Sequence, residues 1–117
     1  MTPEYLAGFF DGEGCVTHTR RESRSPIGVR LLVSQRDREV LDEIQAYLGC
    51  GRVNASAGGR AFRLQIAVQS DVRRVIPLIY RHSIVKREQL RVAWDILNSP
   101  TWEREELALQ LRQLKRR

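Results

Sequence analysis

Residues 61–68, AFRLQIAV, set Phe62, Leu64, Ile66 and Val68 against Ala61, Arg63, Gln65 and Ala67 in strict alternation. A period of two fits a strand with one face buried and the other facing solvent. Such a strand needs a neighbour, and GRVNAS (51–56) supplies one across the tight turn AGGR. Upstream the pattern recurs: CVTHTRR (15–21) and VRLLVSQ (29–35) flank ESRSPIG, a loop by its Ser, Pro and Gly content. Two hairpins imply one antiparallel sheet, and everything else must fit around it.

The remaining segments read as helices. TPEY opens the first, with Thr2 as N-cap, Pro3 in the first turn and Glu4 at the positive end of the dipole. It should run to about Asp11 and stop at Gly12 or Gly14. DREVLDEIQAYLG (37–49) is amphipathic, with Val40, Leu41, Ile44 and Leu48 as its stripe, Asp37 as cap and Gly49 as terminator. SDVRRVIPLIYRH starts at Ser70 or Asp71, with Pro77 as a potential kink; REQLRVAWDILN (87–98) and TWEREELALQLRQLKRR (101–117) follow. The order is αββαββααα, an α+β fold. At 117 residues it is one domain with one core, about 2–98, plus an extra C-terminal helix at 101–117.

Alternation gives the sheet two chemically different faces. Phe62, Leu64, Ile66, Val68, Val29, Leu31 and Val33 form an apolar face for the helices. The opposite face carries Thr17, Thr19, Arg21, Arg30, Ser34, Asn54, Arg63 and Gln65, side-chain types that read base edges. A plain solvated face is the alternative. Charge favours a polyanion: Lys plus Arg number 20 against 14 acids, a net +6, with lysine only at Lys86 and Lys115. Cys15 and Cys50 lack zinc-ligand or disulfide-framework spacing. No apolar run nears membrane-spanning length and no signal peptide precedes the first helix, so an intracellular protein without membrane contact is expected.

The first helix ends in a way that needs a partner. A helix C-terminus carries partial negative charge and disfavours acids, yet Asp11 and Glu13 lie at or just past it. Each alone is compatible with a solvated acid or a cap; together they suit a divalent cation, which reverses the unfavourable field. Magnesium fits, since it takes one or two carboxylates plus water and phosphate oxygens. Ala7 and Gly8 are small enough to let another backbone approach, in the same chain or in a second one.

LAGFFDGEG, residues 6–14, resembles the signature of the LAGLIDADG homing endonucleases: Leu6, Ala7, Gly8, Asp11 and Gly14 match the name, and Glu13 stands at the second acid. The motif-led αββαββα order extends the likeness over about residues 2–98. The resemblance implies that motif helices of two subunits pack together through Leu6, Ala7, Gly8, Phe10 and Asp11, with Asp11 capping or hydrogen-bonding at the helix junction. One motif implies a homodimer. It further implies that Glu13 binds the catalytic metal, with the Gly12 backbone as a further ligand. Gln35, at the end of the second strand, would order water; Lys86 would polarise water or stabilise phosphate charge; Arg36 or Arg38 would be the basic partner of Gln35. The double-stranded DNA contacts expected are the exposed-face residues together with Leu32, Arg36, Arg52, Ser56 and Arg60. Magnesium is the expected cofactor, with manganese as substitute and calcium supporting binding without efficient cleavage. The activity implied is a double-strand break in a long, pseudo-palindromic site, cut across the minor groove to leave short 3′ extensions. The alternatives are a cleavage-deficient binder such as an intron RNA maturase, for which RNA is the partner, or a DNA-binding regulator on the same fold.

Overall fold

The computed structural model describes residues 1–116. Helix α1 (Pro3–Glu13) starts as its sequence dictates, with the Thr2 hydroxyl accepting from the Tyr5 N–H at 3.1 Å. It runs two residues past Asp11, through Gly12, and stops at Gly14, the second of the two expected terminators, which turns the chain straight into β1 (Gly14–Thr19). A Cβ on Gly14 would lie 2.5 Å from the Phe10 ring, so only glycine permits this abrupt helix-to-strand junction.

β2 (Gly28–Gln35), α2 (Arg38–Leu48), β3 (Arg52–Ala55) and β4 (Phe62–Ile66) follow. α2 is capped by Asp37 and ended by Gly49 in the left-handed region (φ 71°). Its buried stripe is Leu41, Ile44 and Leu48, with Val40 only half-buried. The four strands form one antiparallel sheet in the order β1-β2-β4-β3. Strand β4, with alternating large apolar residues, takes the interior position; β3, with Val53 as its one large apolar side chain, takes the edge.

The alternating run 61–68 overstates β4. Val68 leaves the sheet and is 62% exposed, so it is not part of the apolar face. The Gln69 side chain explains why: it accepts from Val29 N–H and donates to Val29 C=O, each at 2.9 Å, filling the ladder positions that two more strand residues would need. Helix α3 (Gln69–Tyr80) therefore begins one or two residues earlier than Ser70 or Asp71 and continues through Pro77, which falls in its last turn.

α4 (Arg87–Asn98) and α5 (Arg104–Lys115) complete the chain. The core lies between the helices and one face of the sheet, built from Val16, Val29, Leu31, Val33, Leu64 and Ile66 against Leu6, Phe10, Leu41, Val75, Ile79, Leu90 and Ile96. α5 adds Ala108 and Leu111 and ties down the β1–β2 loop: Arg104 donates to Ile27 C=O at 2.8 Å and Arg20 pairs with Glu105. Among the described residues no helix is long and apolar enough to cross a membrane.

Candidate active site and nucleic-acid interface

The two motif acids do different work. Asp11 faces the turn before α4, where its carboxylate accepts from Ser83 Oγ and from the backbone N–H groups of Ile84 (2.7 Å), Val85 (3.1 Å) and Lys86 (3.2 Å). Burial pushes its pKa up, but these four hydrogen bonds favour the ionised form more strongly and hold it below the usual carboxylate range. Asp11 is thus the joint between α1 and the turn before α4, committed within its own chain rather than at a junction of two motif helices. Glu13, one turn-fraction further, is exposed, and among the described residues its carboxylate has no hydrogen bond or ion pair.

Lys86 is fixed on the same helix end. It stands at the N-cap position of α4, and its ammonium donates to the Asp11 carbonyl at 2.6 Å. A cation on a last-turn carbonyl offsets the negative end of α1. The Gly14–Val33 pairing sets the start of β1 beside the end of β2, so Gln35 terminates the sheet at the same end as Glu13. The Gln35 Oε1 accepts from Arg36 N–H at 2.9 Å. Arg38 lies over the Phe62 ring, the cross-strand partner of Gln35, and pairs with Asp42 at 3.5 Å. Among the described residues no group of three or more His, Cys, Asp or Glu side chains converges for a metal. One chain offers one free carboxylate, a donor set that suits magnesium only when completed by water, phosphate oxygens and a second carboxylate. Ser83, the one buried polar residue among the described residues, was not singled out from sequence; a serine just before a helix start was its only signal.

Strand register arranges the polar face in rows. Thr17 stands opposite Arg30; Cys15, Leu32, Gln65 and Arg52 cross the whole sheet; Ser34, Arg63 and Asn54 form the third row. Arg30 Nε is buried without a hydrogen bond, the one such side-chain atom among the described residues. Thr19 ends β1, while Arg21 lies in the loop beyond it rather than on the strand, exposed. Arg36 and Arg60 are also exposed on loops. Ser56 is a correction: its hydroxyl donates to Ala61 C=O at 3.0 Å and closes the β3–β4 turn instead of standing free on the face.

The family model described as LAGLIDADG endonuclease matches residues 6–91. The chain belongs to this family. A search of curated protein sequences finds no match. Among solved structures, the fold is that of the homing endonuclease I-CvuI in complex with the I-CreI target (TM-score 0.86, 24% identity, 96% of this chain and 80% of that one). It is also similar to the archaeal intron-encoded I-Vdi141I complexed with DNA (0.82, 21%, 96% and 82%) and to I-TnaI (0.81, 21%, 99% and 95%).

In this LAGLIDADG chain the motif helix does not present the face its sequence suggested. Leu6, Ala7 and Phe10 are buried in the chain's own core, at 1% exposure or less, because they point down onto β1, β2 and α3. They are not available to a second subunit, and neither is the engaged Asp11 carboxylate. The free face consists of Tyr5, Gly8 and Gly12, at helical spacings of three and four. A Cβ placed on Gly8 or Gly12 meets nothing within 4 Å, so both glycines leave a smooth, shallow stripe. Beside its C-terminal end stand Ile84 and Val85, 85% and 71% exposed, on the turn that binds Asp11.

Proposed function

We propose that the protein is a homodimeric homing endonuclease that makes a double-strand break in a long, pseudo-palindromic DNA site by divalent-metal-dependent phosphodiester hydrolysis. The observation that carries this is the unpartnered Glu13 carboxylate at the end of α1, with the Lys86 ammonium fixed on the same helix end and Gln35 closing the adjacent strand. Support for the partner comes from the net charge of +6 and from an Arg-, Thr-, Ser-, Asn- and Gln-bearing sheet face. Support for a homodimer comes from the single motif and the exposed Tyr5–Gly8–Gly12 stripe, which lets two α1 helices approach closely across a two-fold axis.

In this scheme the two α1 ends meet, and each Glu13 carboxylate would hold a divalent metal together with DNA phosphate oxygens and water. Magnesium bound there would stabilise charge on the phosphate and acidify water. Gln35 orients the attacking water by hydrogen bonding. The Lys86 ammonium, held by the Asp11 carbonyl at the same helix end, would stabilise charge that develops on the phosphate. Water loses a proton to solvent and forms one phosphorus–oxygen bond as the strand's own bridging bond breaks, the departing oxygen taking up a proton from solvent, and symmetry repeats the reaction on the second strand. Arginines facing the backbone set register, and strand residues select bases.

Glu13→Gln tests the scheme, since it keeps shape and removes the charge. The variant should bind the same target as the wild type and fail to cut it in magnesium, whereas the wild type cuts. Equal cutting rates would remove Glu13 from the metal site; wild-type binding without any cutting would leave a DNA-binding protein on this fold.

A further inference from the structure

Leu32 is the anomaly of the polar face. Its neighbours along β2 on that face are Arg30 and Ser34, and the row above carries Arg63 and Asn54. Register places it directly opposite Cys15 on one side and Gln65 on the other. The intervening residues Val16, Leu31, Val33, Leu64 and Ile66 are all buried, which fixes Cys15, Leu32 and Gln65 on the opposite, outward side. Leu32 and Cys15 are half-buried there, forming a small apolar spot with an amide at its edge.

Base-edge chemistry has a counterpart for this pair. The apolar group on the major-groove edges of the four base pairs is the thymine methyl, and the group matched to a glutamine amide is the N6/N7 pair of adenine. One A·T pair offers both on a single edge. Directly opposed residues on adjacent strands hold their Cβ atoms about 5 Å apart, close enough to share one base pair. A G·C pair would set the cytosine amino group against Leu32 and leave that donor without a partner.

Resting on the DNA-binding reading above, we propose that Leu32, with Cys15 behind it, and Gln65 together recognise one A·T base pair in each half-site, thymine through its methyl and adenine through its Hoogsteen edge. Cys15 follows Glu13 by two residues, across the α1–β1 junction at Gly14, so this pair stands next to the end of α1 that the proposed scheme sets at the cleavage point. The specificity is therefore partly apolar: it reads a methyl group rather than a hydrogen bond.

The test begins with selection of a randomised duplex pool on the wild-type protein in calcium. The strongest duplex is then resynthesised with uracil at each thymine and 7-deazaadenine at each adenine in turn. Uracil at one position per half-site should weaken binding by about fourfold, the value of one buried methyl group. Leu32→Ala should abolish that uracil penalty, and Gln65→Ala should abolish the 7-deazaadenine penalty at the paired base. Because the wild-type comparison alters only the DNA, it does not depend on any variant folding. Tolerance of uracil at every thymine, or a uracil penalty undiminished in a folded Leu32→Ala, overturns the proposal while leaving DNA binding intact. Failure of the pool to enrich any duplex overturns both.

Discussion

Asp11→Ala removes the joint between α1 and α4, and its cost follows from the bonds lost. One carboxylate oxygen accepts from Ser83 Oγ and Lys86 N–H, the other from Ile84 and Val85 N–H. Hydrogen bonds to a charged group contribute about 1.5–3 kcal/mol each when shielded. Here the Ile84 and Val85 bonds are exposed, and water replaces much of what they give. The two remaining bonds would give about 3–6 kcal/mol if fully shielded; they are only part-buried, so the loss is discounted to about 2–4 kcal/mol. For a domain of this size that is a fall in melting temperature of roughly 8–16 °C. Asp11→Asn should fall between, since its amide nitrogen must face one of the two donor pairs. The pH dependence follows from the lowered carboxyl pKa. The stabilisation is fully present above the unfolded value, about 3.9, and is lost as pH falls through the lower folded value. The gap between wild type and Asp11→Ala in thermal unfolding should be constant from neutral pH down to about 5 and close in stronger acid. An Asp11→Ala protein that melts within about 2 °C of wild type at neutral pH would refute the structural role.

The α1 faces separate packing from assembly. Gly8→Leu meets open space and should leave the protomer fold intact while converting the proposed dimer to monomer in sedimentation; a persisting dimer would place the interface elsewhere. Ala7→Leu instead overfills the core and should cost about 1–3 kcal/mol in thermal unfolding. His18 is held below its usual pKa by burial and then by the nearby Arg112, Lys115 and Arg20. Folding therefore favours its neutral form, and stability should decline as pH falls from about 6.5 toward the lower folded value. His18→Gln should flatten that slope in urea titrations at stepped pH; an unchanged slope would assign it to another group.

The sequence by itself determined the local elements: two hairpins, helices with legible caps at Thr2, Asp37 and Gly49, and a sheet with one apolar and one polar face. Those follow from rules acting over a few residues, namely a period of two, side-chain capping and the freedom of glycine. The acid pair and its place at a helix end were equally legible. What the acids do was not, because the partners of Asp11 lie 72 to 75 residues away in a turn whose own sequence, SIVK, carries no distinctive pattern. The Gln69 side chain that ends β4 is bonded to Val29, 40 residues upstream, so the alternating pattern ran on past the true strand end. Likewise, the motif showed small residues on α1 but not which way they face. Only the packing of Leu6, Ala7 and Phe10 onto the sheet turned Gly8 and Gly12 outward, since a short helix surrounded by apolar residues has no intrinsic inside until the rest of the chain supplies one.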